Sequence, residues 1–220
     1  MIAERAQSYE AVRMTVDSYV PAFATKPFAH QLAGTTRLVA HKTFALFDEM
    51  GVAKSKQVID AACILLSDDQ VDAVVVAAPA KVRRLVWADP EDGELAKHGW
   101  GLDMIRTLNY DAAAGRLIEQ DDRANWLTVS YELLRNEQHL ARVSRWLQRR
   151  KRVWLVLDES HSLKNRTALQ SRAVAKLRAL CDRCTLLTGT PVANNPLDLW
   201  APMRIMDQAS LPFKNFYAFR

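Results

Sequence analysis

The run Val153-Trp154-Leu155-Val156-Leu157 sets five apolar residues in file with no polar alternation. A strand of that kind is buried on both faces, which places it inside a parallel sheet covered by helices. The run ends in Asp158-Glu159-Ser160-His161. Two adjacent carboxylates at the end of a buried strand are how a nucleoside triphosphatase holds Mg²⁺ and activates water. A strand ending in Asp-Glu is ordinary by itself; its company gives it meaning. Upstream, Phe44-Ala45-Leu46-Phe47 runs into Asp48-Glu49-Met50-Gly51-Val52-Ala53-Lys54-Ser55, and downstream stands Leu186-Leu187-Thr188-Gly189-Thr190-Pro191. The three segments point to one nucleotide site.

Along the whole chain, short β-rich runs alternate with longer helical periods, which predicts an α/β fold with a mostly parallel central sheet flanked by helices in three layers. Strands are expected at 43–47, 73–77, 106–109, 126–130, 153–157 and 185–187, and helices at 54–66, 81–87, 132–149, 167–181 and 196–206. Pro90, Gly93, Gly99 and Gly101 mark a loop-rich middle, and no Pro/Gly/Ser linker divides the chain. At 220 residues, 49% hydrophobic and 25% charged, it can bury one sizeable core. No apolar run approaches the ~18 residues of a membrane span. The N-terminus lacks the apolar core of a signal peptide, so a soluble, intracellular, cytoplasmic chain with no membrane partner is expected. Three cysteines, Cys63, Cys181 and Cys184, argue against a secreted disulfide framework. Cys181-x-x-Cys184 has the spacing of a zinc or redox pair but no second Cys or His pair nearby. It reads as two small residues at a helix-to-strand turn.

Phosphate binding needs backbone N–H groups turned inward at a helix N-terminus, a lysine that reaches the outer phosphates, and a hydroxyl for Mg²⁺. Gly51, Lys54 and Ser55 supply that minimum. The common phosphate-loop pattern places glycine directly before the lysine, where this chain has Ala53. If that position needs φ > 0, alanine costs about 1 kcal/mol and distorts the loop. Taken alone, the segment reads equally well as an ordinary strand-to-helix turn. Asp158 would hold Mg²⁺ through water, Glu159 would polarise the attacking water, and His161 would sit near the γ-phosphate. Strand-ending acids and a loop histidine without chemistry are the alternative.

In this order, Asp-Glu-Met-Gly-x-x-Lys-Ser, Asp-Glu-Ser-His-x-x-Lys-Asn and Leu-Thr-Gly-Thr-Pro-x-x-Asn-Asn resemble motifs I, II and III of Swi/Snf-type helicase-like ATPases of helicase superfamily 2. Pro27-Phe28-Ala29-His30-Gln31 resembles the adenine-recognising segment, which implies that Gln31 reads the base edge. Ala78-Pro79-Ala80-Lys81 is similar to motif Ia and Val129-Ser130-Tyr131-Glu132 to motif Ib. Pro79, Lys81, Ser130 and Tyr131 are thereby implied to touch a nucleic-acid strand. Asn194-Asn195-Pro196-Leu197-Asp198-Leu199-Trp200 and Phe213 to Arg220 match the segments that follow motif III.

The resemblance implies a RecA-like P-loop NTPase lobe over residues 26–220, after an N-terminal extension of residues 1–25. It implies ATP bound by Asp48 to Ser55 and Gln31, with Mg²⁺ on Ser55 and Asp158. Lys54, Glu159 and His161 take the catalytic roles, and Thr188, Gly189 and Thr190 couple hydrolysis to motion. The implied partners are duplex DNA, held without regard to sequence, and a second RecA-like lobe downstream that supplies an arginine. Ala53 and Ser160 depart from the family pattern, and Ala53 opens the alternative of a degenerate nucleotide- or DNA-binding module. A small-molecule kinase leaves Leu-Thr-Gly-Thr-Pro and Asp-Glu-Ser-His without a job. Thirty basic against 25 acidic residues give a net charge of +5, which permits nucleic-acid contact without requiring it. Lys81, Arg83 and Arg84 are placed for phosphate contacts. The cluster Arg145, Arg149, Arg150, Lys151 and Arg152 reads as charges that complement a helix C-terminus, with a phosphate-binding patch as the alternative.

Overall fold

Each expected apolar run becomes a strand in the computed structural model, which describes residues 2–99, 105–110, 123–192 and 195–220. In chain order the elements are α1 (Ile2–Tyr19), α2 (Ala29–Ala40), β1 (Thr43–Leu46), α3 (Lys54–Ser67), β2 (Ala73–Ala78) and α4 (Ala80–Val82). There follow a π-helical turn (Arg83–Trp87), α5 (Glu94–His98), β3 (Thr107–Asn109), β4 (Trp126–Ser130), α6 (Tyr131–Leu134), α7 (Glu137–Gln148) and β5 (Val153–Leu157). The last are a 3₁₀ turn (Ser160–Leu163), α8 (Leu169–Arg178), β6 (Arg183–Leu187), a second 3₁₀ turn (Pro196–Leu199), α9 (Trp200–Met206) and α10 (Phe216–Phe219).

The strands form one sheet in the order β1-β6-β5-β2-β4-β3, and every pairing among them is parallel. Val75 lies between Leu127 and Leu155, and Leu157 between Ala77 and Leu186. Every residue of β2, β4, β5 and β6 is buried, as strands covered on both faces must be. Alternation along each strand feeds two apolar layers. Leu155, Leu157 and Leu186 face Val143, Trp146 and Leu177, while Trp126, Trp154 and Val156 face Ile59, Ile64 and Leu38. Val16 and Phe23, from the expected N-terminal extension, join the second layer.

The boundaries differ from expectation where a polar residue does structural work. The segment 132–149 is two helices because the Asn136 side chain accepts from the N–H groups of Gln138 and His139 and starts α7 afresh. Strand β6 begins at Arg183, two residues early. Its buried guanidinium donates to the carbonyls of Leu38, Val39 and His41 at the end of α2. Segment 81–87 divides into α4 and the π turn, 167–181 shortens to α8, and 196–206 opens as 3₁₀ before α9. Helices α1, α2, α5 and α10 were not anticipated, and Gly101 lies outside the described residues. Cys181 and Cys184 are buried at the α8-to-β6 turn, where burial pushes the Cys184 thiol up to about 12. No group of three or more metal-ligating side chains occurs among the described residues, nor is any helix there long and apolar enough to cross a membrane.

Because the strands are parallel, their C-terminal ends share one edge of the sheet. The neighbours β1, β6 and β5 therefore bring the loops at 48–53, 188–192 and 158–161 together, at the kind of crevice where open α/β sheets bind ligands.

Candidate nucleotide site

The loop after β1 is built for close approach. Gly51 has φ +80° and Ala53, the residue before Lys54, has φ +55° and ψ +56°. The left-handed conformation that the alanine-for-glycine exchange put in question is thus the one Ala53 adopts, at a cost of about 1 kcal/mol. Ala53 is also the N-cap of α3 and has no side chain to cap it, so the first-turn N–H groups of a 14-residue helix lack that acceptor. Lys54 Nζ donates to the carbonyls of Asp48 at 3.0 Å and Glu49 at 2.8 Å, and Gln57 Nε2 donates to Asp48 Oδ2 at 3.1 Å. The Val52 carbonyl lies 3.3 Å from His30 Nε2 and 3.5 Å from Gln31 Nε2, while Gln31 Oε1 accepts the Phe28 N–H at 2.9 Å. Gln31 is buried beneath the loop, whereas Phe28 is 70% exposed and stacked on His30. Two glycines permit these contacts. A Cβ on Gly34 would meet Gln57 Oε1 at 1.7 Å, and one on Gly189 would meet the Met50 backbone nitrogen at 3.0 Å.

Across the crevice Asp158 is buried, and its carboxylate has two fixed donors: Trp87 Nε1 at 2.7 Å on Oδ2 and the Glu159 N–H at 2.8 Å on Oδ1. Burial raises its proton affinity, and the two donors pull the other way. Glu159 is left-handed at φ +48°, a strained conformation at the strand end. Its Oε2 lies 3.3 Å from His161 Nδ1, which in turn lies 3.2 Å from Thr188 Oγ1. Thr188 Oγ1 also accepts the Thr190 N–H at 3.1 Å, linking the expected coupling residues to the acids. Buried oxygen ligands at Asp158, the Ser55 hydroxyl at the start of α3 and a lysine held only by loop carbonyls form a donor set that fits Mg²⁺ and a polyphosphate.

On the nucleic-acid side, two of the expected residues face inward. Ser130 and Tyr131 are both 2% exposed. Ser130 Oγ accepts the Leu133 N–H to start α6, and Tyr131 OH donates to the Asp158 carbonyl at 2.8 Å, so both hydroxyls serve the interior. Lys81 and Arg84 are exposed, whereas Arg83 is drawn in to the Tyr110 carbonyl at 3.3 Å. Pro79 starts α4, whose Ala80 N–H donates to Glu132, so the segments at 79–81 and 130–132 are tied together. Asn195 Oδ1 caps the following 3₁₀ turn, and Asn194 lies outside the described residues. Phe213, Phe216 and Phe219 cluster around Trp200. Trp87 and Gln57 are site neighbours outside every sequence motif, and His30 and Glu132 lie within motifs that gave them no role of their own; a tryptophan in an apolar run reads as core from sequence alone.

An all-parallel sheet with a lysine-bearing loop after β1, an Asp-Glu strand end at β5 and a Thr-Gly-Thr turn after β6 is a RecA-like, P-loop lobe of the helicase-like ATPase class. Within that class, the model for the SNF2-related domain matches residues 30–219, and the chain belongs to this family. It is 31% identical over 166 residues, 71% of the chain and 8% of the relative, to the TATA-binding protein-associated factor mot1 of Aspergillus fumigatus. It is 27% identical over 205 residues, 93% of the chain and 25% of the relative, to the SWI/SNF-related matrix-associated actin-dependent regulator of chromatin subfamily A-like protein 1 of Drosophila melanogaster. The fold matches the Sulfolobus solfataricus SWI2/SNF2 ATPase core in complex with dsDNA with a TM-score of 0.69 at 18% identity. That match covers 90% of this chain and 39% of the archaeal one. The chain thus spans a quarter or less of the length of these curated relatives.

Proposed function

We propose that this chain is the ATP-binding and hydrolysing lobe of a DNA-dependent translocase, completed by a second RecA-like lobe. The observation that carries the reading is the pairing, across one crevice, of an uncapped α3 N-terminus and Lys54 with the buried carboxylate of Asp158. Lys54 exchanges the Asp48 and Glu49 carbonyls for the outer phosphates of ATP, and the N–H groups of residues 51–55 take the remaining phosphate oxygens. Phe28, His30 and Gln31 offer a ring face and an amide to the adenine. Ser55 and Asp158 hold Mg²⁺, which neutralises phosphate charge. Glu159 orients the attacking water. His161, through Thr188 and Thr190, passes the state of that site to the loop after β6. Lys81 and Arg84 hold the DNA backbone by charge, without reading sequence.

A second reading, a nucleotide-binding module with little hydrolysis, is favoured by Ala53 at φ +55°, since strain there acts on the N–H groups nearest the phosphates. One pair of variants separates the two. In a protein that carries both lobes, Glu159→Gln keeps Mg·ATP affinity and loses turnover by ~10²-fold or more, whereas Asp158→Asn loses affinity for the magnesium complex. Parental turnover in Glu159→Gln removes Glu159 from the chemistry.

A further inference from the structure

Trp87 is the buried polar group for which the motifs leave no role. Its side chain is 1% exposed, and Nε1 donates to Asp158 Oδ2 at 2.7 Å. An indole N–H can only donate; the Nε1 atoms of Trp126 and Trp146 are buried with no hydrogen-bond partner among the described residues, whereas that of Trp87 meets the very carboxylate that the nucleotide reading assigns to the metal. With the Glu159 N–H on Oδ1 and Tyr131 OH on the Asp158 carbonyl, the acid is fixed from three directions. The Trp87 contact comes from a segment whose Lys81 and Arg84 reach the surface.

That segment is unusual. Trp87 closes the π turn Arg83–Trp87, which directly follows α4. A π turn carries one residue more than an α turn, and such turns concentrate at functional sites. Dropping that residue would swing the indole by roughly 100° about the helix axis, away from Asp158. Lys81 and Arg84, on the same stretch, are exposed and have no hydrogen-bond or ion-pair partner among the described residues. The ring of Trp87 packs on Trp126, 6.1 Å between centroids, so the turn is seated in the core at one end and open to solvent at the other.

Resting on the nucleotide reading above, we propose that Trp87 is a positioning residue for Asp158, and that the π turn makes this carboxylate respond to a polyanion held by Lys81 and Arg84. Outer-shell donors of this kind orient a metal ligand and change its affinity for the ion.

The test uses the chain as it stands with two replacements at position 87. Trp87→Phe removes the donor and part of the ring; benzothienylalanine at the same position keeps the bicyclic shape and puts sulfur in place of N–H. Both should weaken Mg·ATP binding by calorimetry roughly tenfold while leaving metal-free ATP binding unchanged. Benzothienylalanine should also keep the parental melting temperature. A short DNA duplex should shift the parent's Mg·ATP affinity about fivefold and leave both replacements unmoved. In ligand-free protein, Asp158→Ala should displace the Trp87 indole N–H resonance. Parental Mg·ATP affinity and duplex response in the benzothienylalanine protein, or an unmoved indole resonance, overturns the proposal and leaves Trp87 as packing. Failure of the nucleotide reading shows separately, as equal Mg·ATP binding by the parent and Lys54→Ala.

Discussion

The two ends of the sheet are both rich in positive charge and use it in opposite ways. At the N-terminal end, Arg152 pairs with Asp72 at 2.6 Å and donates to the Asp69 carbonyl. Arg150 stacks 3.5 Å over Trp146 and donates to the carbonyls of Trp146 and Ala124. Arg183 spends its charge on three carbonyls of α2 and the turn after it. At the C-terminal end, Lys54 has only loop carbonyls, Lys81 and Arg84 face solvent, and two non-glycine residues are held left-handed. Basic density in the sequence is highest around 145–152, yet Arg150 and Arg152 in that cluster close the fold. The sparser charges at the other end remain open for a ligand.

The strongest challenge to that contrast comes from a charge pair that belongs to neither end. Lys56 and Asp60 lie within α3 at 2.6 Å, with side chains 3% and 0% exposed. Asp60→Ala would strand a buried ammonium and should cost about 3–5 kcal/mol in denaturant unfolding, whereas Lys56→Met with Asp60→Leu should be neutral or stabilising. Burial raises the Asp60 carboxyl to about 6, against Lys56, which lowers it. The folded state then holds a proton that the unfolded chain has released, so this group's stabilising share is present below about pH 4 and is lost as pH rises through about 6. Asp60→Asn should remove that part of the pH dependence; an unchanged stability profile between pH 4 and 6 would contradict it.

At the N-terminal end, Arg183→Ala leaves three carbonyls without their donor and should destabilise by about 3 kcal/mol, read as a lower melting temperature. Mg·ATP affinity in the surviving folded fraction should stay parental. At the C-terminal end, Ala53→Gly relieves a left-handed alanine and should gain up to about 1 kcal/mol, offset in part by a freer unfolded chain. Turnover should rise with it, and a fall in both would show that the alanine is not strained. The smallest effect belongs to Arg152→Ala. Its pair with Asp72 is half-exposed and screened by solvent, so the denaturation midpoint should barely move.

Much of this arrangement was legible beforehand, for reasons that also mark the limit. Strands β2 and β5 announce themselves because burial on both faces demands unbroken apolar residues. The three motifs were legible because their chemistry needs particular residues at particular spacings. Helix α2 was not, because its buried face is built from Gln31, Gly34, Thr35 and Thr36 as well as Leu38 and Val39, and polar residues that pack do not read as a stripe. Arg183 hid the start of β6 for the same reason. Tyr131 and Trp87 show the deeper limit. Their hydroxyl and N–H partners lie 27 and 71 residues away, on a strand end that only the folded sheet brings near.

Mg·ATP titrated by calorimetry into Lys54→Ala and Arg152→Ala, side by side with the parent, tests the contrast between the two ends most directly. The account predicts that Lys54→Ala loses detectable binding while keeping the parental melting temperature, and that Arg152→Ala binds as the parent does. Parental affinity in Lys54→Ala, or its loss in Arg152→Ala with the fold intact, would contradict it.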